Sequence, residues 1–568
     1  MLYSTPQENA TCAGHRAVGR AGAEGIGLPA GVLAVAADGL YRPGRPDPAG
    51  VGGAVVSSAG GRLRSGEPAV FAVPVTVAPA VVRADGRVQA GGHLAEHVRL
   101  GLLEQHLPAG VVEDLVGQLG LGRERLRRLS APMAVRCVLA MTLMPQACYR
   151  EVMATVAGQL ALLPWAKPWS VPGGEVLGRW RVHLGVPLFL RLYWQVAART
   201  SAEHAGLGGA PDVPGVRVGG LLLCAVDGFQ ARMPNTPANR EAFGSSGTAD
   251  DSAPYPQLRA VVVTVCATRA QLGAAFDACE VGEQTLTARI AEEHPGVFTD
   301  GRLYLTDRNF LGGPLILKIL GGGGHLLMRV KADIRLPRIG DWLSDGSYRS
   351  YVKVKAGRAE SWIPMRVLEY DVEIDGGVPG ELFCLVTDVL DHKRYPAQAL
   401  CAAYPMRWSG SETHIKEAKS TITGAGPSRG PILRSTTPDM VRQETWAWLA
   451  ATELARADAR GAVASPPPGG RKPVTARQTS FTASRRETLR SLTQTAVTAT
   501  TSPAQLAAAA ERAHRAILTQ LVQTDRNRHC ERVTKVRLDF PPAKGSVPTT
   551  TAQARIIFHA PAPSARAG

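Results

Sequence analysis

Two aspartates and one glutamate stand where chemistry at phosphorus would need them. Asp227 follows the apolar run GGLLLCAV and is followed by Gly228; Asp307 follows GRLYLT and precedes RNF. An Asp at the carboxyl end of a buried strand occupies the position where α/β sheets hold ligand-binding groups. A charge there is costly unless it is paired or metal-bound. Taken singly, each is more simply a turn or helix-cap residue. The third candidate lies in YPMRWSGSETHIKEAKS, residues 404–420. At about 100° per residue, Tyr404, Trp408, Glu412 and Lys419 share roughly one quarter of a helix circumference, with Lys416 beside them and Arg407 able to reach round. The plain alternative is a surface pair of Glu412 with Lys416, worth a few tenths of a kcal/mol. The chemical reading is a carboxylate among phosphate-binding cations, with an aromatic face on which a base can stack. Three oxygen ligands on separate elements suit Mg²⁺, which shares its coordination with substrate phosphates. Two such ions can clamp the attacking and leaving oxygens of an in-line displacement.

The elements that must position these residues follow from the apolar patterning. VGGLLLCAVDG and LRAVVVTVCATRA read as buried strands, EQTLTARIAEEHPG as a helix and GRLYLTDRNF as a further strand. Residues 215–325 and 394–455 therefore form two parts of an α/β core. Between them, 326–393 carries four β-rich runs: HLLMRVKAD would complete the core sheet, and YRSYVKVKAG, IPMRVLEYDVEI and LFCLVTDVL would form a β-rich insertion. Helical spacing over 90–205 predicts a helical N-terminal domain, with GRERLRRLS (122–130) as a basic edge. Residues 1–88, rich in Gly, Ala, Val and Pro, read as a poorly ordered leader. Residues 456–475 read as a linker, and 476–568 as a helical C-terminal segment ending in a basic tail.

The formal charge of +16 over 568 residues points to a polyanionic partner, nucleic acid before an anionic membrane surface. Nine cysteines are scattered without a C-x-x-C pair or zinc-type spacing, which fits a reducing compartment. No apolar run approaches the roughly eighteen residues that a membrane span needs. The opening residues lack the apolar centre of a secretory signal. GGGGH (321–325) lacks the Lys and Ser/Thr of a phosphate-binding loop and reads as a turn. His414 is expected at the surface or near a nucleic acid.

Several stretches resemble bacterial DDE transposases of the insertion-sequence-four family, which move DNA by cut-and-paste: AVDGFQARMPNTPANREAFG (225–244), LYLTDRNFLG (303–312), MRVKADIRLP (328–337) and RYPAQALCAAYPMRWSGSETHIKEAK (394–419). CYREVMATV (148–156) resembles part of the helical N-terminal domain of such enzymes. The likeness covers about 90–455 and, more loosely, 476–535. It implies an RNase H-like core with a β-rich insertion between the second Asp and the Glu. It further implies Asp227, Asp307 and Glu412 as catalytic ligands of two Mg²⁺ ions, with Mn²⁺ as a substitute. Tyr404, Arg407 and Lys419 would contact transposon-end phosphates, and Trp408 would stack on a displaced base; Lys416, placed beside them by the helical spacing alone, is a further DNA-binding candidate. Arg123, Arg125, Arg127 and Arg128 are candidates for recognising the terminal inverted repeats. The implied partners are double-stranded DNA, both terminal repeats and target, bound by a homodimer in the bacterial cytoplasm at the nucleoid. A nuclease without strand transfer would use the same carboxylates, and a decayed copy would only bind DNA.

The chain departs from the family pattern at three positions. Four residues, WSGS, separate Arg407 from Glu412 where the family has three, so strict spacing lands on Ser411. Serine cannot replace a carboxylate, so Glu412 is assigned and Glu417 is the fallback, about 140° away round a regular helix. Asn309 stands where Gly is usual, a position that Asn fills by tolerating a left-handed turn. Phe229 replaces a small hydroxyl residue.

Overall fold

The computed structural model describes residues 99–122, 129–158, 170–205, 215–245, 255–331, 334, 336–356, 359–374, 382–422, 433–464, 474–494, 501–522 and 554–558. The leader 1–88, the arginines of 123–128 and the basic tail lie outside them. Four N-terminal helices, α1 (Ala109–Gln118), α2 (Ala131–Leu143), α3 (Tyr149–Ala157) and α4 (Gly174–Ala205), agree with the helical reading of this region. Helix α4 breaks at Gly185, whose φ is 66°, two residues before Pro187. Proline has no N–H for the helical ladder, and Gln443 donates to the carbonyls of Arg181 (2.7 Å) and Gly185 (3.0 Å) at the break.

The centre of the molecule is a sheet. Strands β1 (Arg217–Val218) and β2 (Leu221–Arg232) lead to helix α5 (Pro237–Phe243), then β3 (Gln257–Val265) and β4 (Gln271–Ala278). Helix α6 (Glu283–Glu293), β5 (Arg302–Thr306), α7 (Gly313–Gly321) and β6 (His325–Arg329) follow, and then β7 (Tyr348–Ala356), β8 (Ala359–Ile374) and β9 (Leu382–Thr387). With β10 (Ala554–Phe558), the order is β10-β8-β9-β6-β5-β2-β3-β4, with β1 on β2 and β7 on β8. Strand β3 pairs antiparallel with both β2 and β4, whereas β5 and β6 run parallel to β2. The β-rich segment is not a separate layer: β9 joins β6 antiparallel and carries β8 with it, so the run expected as an insertion widens the core sheet.

The pleat of β2 distributes its side chains between two layers. Cys224 and Val226 face a cluster with Leu286 and Ile290 of α6 and Ile316 and Ile319 of α7. Leu223 and Ala225 face the opposite way, onto α8 (Ala397–Ala403), and Phe229 and Ala231 onto the helical layer. That layer is built on α10 (Pro438–Ala464), which shares one continuous apolar core with α2 to α4 and with β2 to β4. The N-terminal helices therefore close the same core as the sheet. Helix α10 also corrects the expected linker, whose first nine residues, 456–464, continue this helix. Ala457, Ala459 and Ala462 are buried there, Arg456 pairs with Glu417, and Arg460 pairs with Glu453 at 2.7 Å.

Candidate active site

The pairing of β2 with β5 brings the two aspartates level. Leu222 is registered with Arg302 and Ala225 with Leu305, an offset of 80, which is also the separation of Asp227 and Asp307. The expectation that both end a strand needs one correction: β5 stops at Thr306, but β2 runs on past Asp227 to Arg232, held by β3. Asp227 therefore sits mid-strand, just beyond the last β5 pair, where β5 leaves that edge of β2 uncovered. By alternation it faces the side of Ala225 and Phe229. Asp307 caps the short 3₁₀ turn Arg308–Phe310, and its Oδ1 accepts the Asn309 backbone N–H at 2.8 Å. Asn309 does not adopt the left-handed conformation expected of it, since Arg269 alone among described non-glycine residues has positive φ; its side-chain amide instead donates to Asp307 at 3.4 Å. Phe229 packs edge-on against Trp448 of α10, 5.6 Å between centroids, and its bulk fills the core rather than the site.

The third carboxylate arrives on a segment that is not a regular α-helix. After α8, Trp408–Glu412 is π-helical, Thr413–Lys416 (α9) is α-helical and Glu417–Ile422 is π-helical again. The Thr413 N–H donates to the Trp408 carbonyl, an i to i+5 bond that absorbs one extra residue in the turn. The additional residue in WSGS is accommodated here. In an α-helix, Arg407 and Glu412 would lie about 140° apart; in this turn Arg407 Nη2 meets Glu412 Oε1 at 2.9 Å. Arg407 Nη1 reaches Asp227 Oδ2 at 3.4 Å, so one guanidinium bridges two carboxylates. Ser411, at the strict family spacing, is fully buried and its hydroxyl lies 3.1 Å from Asp227 Oδ2 and 3.0 Å from the Arg407 carbonyl. The fallback, Glu417, points elsewhere, pairing with Arg269 at 2.9 Å and with Arg456.

The π turns also change the expected stripe. Tyr404 is buried and its hydroxyl donates to the Thr306 carbonyl at 3.0 Å, so it supports the end of β5 and has no surface to offer a phosphate. Trp408 is half-buried, edge-on to Tyr404 and covered by the Arg407 guanidinium at 4.9 Å. Lys416 is exposed. Lys419 is half-buried, and burial, reinforced by Arg232, lowers its pKa. His414 is not at the surface: it is buried and its pKa falls to about 3, through burial first and then Arg456, Arg269 and Arg460.

A fourth acid, Glu283 at the start of α6, also borders this cluster; the sequence drew attention to its helix but not to it. Burial raises Asp227 to about 6, with Asp307 adding and Arg407 opposing. Burial also raises Glu412 to about 7, opposed by Arg407 and assisted by Asp227 and Asp307. Glu283 rises to about 7 through burial, Asp227 and Asp307, against Arg259. Arg407 is held above its usual range because Tyr404, Asp227, Glu412 and Asp307 outweigh its burial. Among the described residues, no three Asp, Glu, His or Cys side chains converge as they stand to hold an ion. The donor set nevertheless fits a hard divalent cation: it is all oxygen, partly desolvated and short of positive charge, with Arg407 supplying what an ion would otherwise supply.

Residues 97–193 match the family described as insertion element 4 transposase N-terminal. The chain is also similar to transposase InsG for insertion sequence element IS4 of Escherichia coli (strain K12), 25% identical over 363 residues, covering 62% of this chain and 75% of the relative. A cryo-EM structure of a piggyBac transposase synaptic complex with hairpin DNA aligns over 72% of this chain and 84% of that one, at 10% identity and a TM-score of 0.36, too slight a likeness to argue from. No helix among the described residues is long and apolar enough to cross a membrane. The N-terminal family match and the longer match to a relative agree in making the chain similar to the insertion-sequence-four transposases.

Proposed function

We propose that the protein is a divalent-metal-dependent DNA transposase that cleaves at transposon ends and joins the freed 3′ end to target DNA. The observation that carries this reading is that Asp227 and Asp307 share one offset in the β2–β5 register while the Arg407 guanidinium pairs with both Asp227 and Glu412. The antiparallel β2-β3-β4 set followed by parallel β5 and β6 supports an RNase H-like core. Asp227, Asp307 and Glu412 would hold two Mg²⁺ ions, or Mn²⁺ in their place, which when bound supply charge stabilisation to the attacking and leaving oxygens.

The chain's own groups do the rest. Water attacks the phosphodiester at the transposon end, the bond to the 3′ oxygen breaks, and that oxygen takes up a proton to leave as a hydroxyl. The same hydroxyl later attacks target DNA. Among the described residues Arg407 Nε and Trp408 Nε1 are buried donors with no hydrogen-bond partner, and such groups cost about 1–3 kcal/mol each until satisfied. Phosphate and base oxygens would satisfy them. Lys416 and Lys419, with Arg232 near the latter, extend this positive border. Tyr404 acts as a positioning residue beneath Asp307. Binding would weaken steeply with salt, because phosphate contacts release counterions. The protein would act as a homodimer on paired ends.

Incubation with Mg²⁺ and labelled DNA carrying the element's terminal repeat, plus an unlabelled target plasmid, tests the reading. Expected products are a nicked end and then a covalent joint to the plasmid, both absent in Asp227→Ala. Cleavage without any joint would favour a simple nuclease, and cleavage by Asp227→Ala would refute the site.

A further inference from the structure

Two consecutive side chains of α6 occupy the spaces of two glycines, Gly228 next to Asp227 and Gly312 just past the turn that Asp307 caps. Glu283 lies against Gly228, the residue after Asp227: a side-chain carbon built at 228 would run into the Glu283 carboxylate. Gln284 lies in the same way against Gly312, and its amide donates to the Asn309 carbonyl at 2.6 Å, in the turn that Asp307 caps. The first turn of α6 is thus fastened to the Asp307 loop and inserts a carboxylate beside Asp227. Neither glycine at these positions needs a left-handed backbone, since neither has positive φ. Their smallness serves contact.

The surroundings of Glu283 are not those of a structural acid. Among the described residues its side chain has no ion pair and no side-chain hydrogen bond. The nearby Arg259 donates instead to the Val281 carbonyl at 3.4 Å. A half-buried carboxylate facing other carboxylates destabilises an ion-free fold, so packing alone would favour a neutral residue at 283. Strand β5 ends at Thr306 and pairs with β2 only as far as Ala225, so it leaves the edge of β2 at Asp227 unpaired. Glu412 and Arg407 approach it from the α8 side and Glu283 from the α6 side.

We infer that Glu283 is a fourth carboxylate of this site and, with Asp227, a ligand for one of the divalent ions, and that Gly228 is the opening that admits it. The inference rests on the metal-dependent reading above. It assigns α6 a part in the site beyond covering the sheet.

Mn²⁺ titration of the full chain, with free Mn²⁺ followed by electron paramagnetic resonance, tests it without any DNA. Glu283→Gln is expected to weaken Mn²⁺ binding by at least about tenfold, while the ion-free protein melts at the same or a higher temperature. Gly228→Ala keeps every carboxylate but displaces the flexible end of Glu283, and is expected to weaken Mn²⁺ binding in the same direction. Glu293→Gln, an exposed acid on the same helix, should bind as wild type does. Wild-type affinity in Glu283→Gln and Gly228→Ala, alongside loss in Asp227→Asn, would overturn this inference and leave the proposed function standing. Wild-type affinity in Asp227→Asn as well would overturn both.

Discussion

Glu412 and Glu417 lie five residues apart on one segment and have opposite surroundings. Glu412, with its side chain 34% exposed, borders Asp227 and Asp307 and meets Arg407. Glu417, 12% exposed, is enclosed by Arg269 and Arg456, themselves buried. Removing one partner from a buried pair leaves uncompensated charge, which costs about 3–5 kcal/mol. Glu417→Gln should therefore lower unfolding free energy by about that amount in urea denaturation, whereas Glu412→Gln should barely change it; equal losses would mean that both glutamates are structural. The aspartates and Glu412 were legible in the sequence because each stands next to a strong pattern, an apolar strand or a cluster of cations. His414 and Tyr404 were not, because a single sequence does not reveal what the far side of a helix packs against. Glu283 was hidden for a different reason. Its contact is made by the absence of a side chain at Gly228, and a missing atom leaves no periodicity.

The decisive element is the π-helical segment 408–422. A period of about 3.6 residues assigned Tyr404, Trp408, Glu412 and Lys419 to one stripe, and the wider π turns break that stripe while restoring Glu412 to Arg407. The extra residue in WSGS was visible, but its consequence depends on i to i+5 bonding that composition does not announce. Gly410 shows what seats this turn: a side-chain carbon there would lie 3.0 Å from the Cys266 Cα and 3.3 Å from the Ala225 Cβ, on β2. Arg269, in the turn between β3 and β4 with φ 57°, donates to the Ser409 carbonyl at 2.8 Å and fastens the segment from its other side. Overpacking of such a contact costs about 1–3 kcal/mol. Gly410→Val should lose that much in thermal unfolding and also lift Glu412 from Asp227, reducing cleavage more than stability alone explains. Unchanged cleavage would show that the turn has slack. Strands β2, β3 and β5 were legible from their continuous apolar runs, and β6 from the β-rich run HLLMRVKAD. The joining of β9 to β6 was not, since strand order within a sheet is a long-range property.

At the scale of the whole molecule, the sheet runs unbroken from β4 through the site to β8 and the C-terminal strand β10, and one apolar core joins the N-terminal helices to α10. The expected division into separate helical domains missed this because helical periodicity shows that a face is apolar and not what covers it. The net charge of +16 and the acidic cluster fit together in the proposed function: cations on the border would gather DNA, and the carboxylates beside the end of β5 would gather metal. That account stands on Asp227, Asp307 and Glu412 acting together. Single-turnover cleavage of terminal-repeat DNA in Mg²⁺ by wild type, Asp227→Asn, Asp307→Asn and Glu412→Gln, each with its folded fraction measured, tests it most directly. The predicted result is a loss of at least about a hundredfold in each of the three variants. Cleavage by folded Glu412→Gln at the wild-type rate would contradict it.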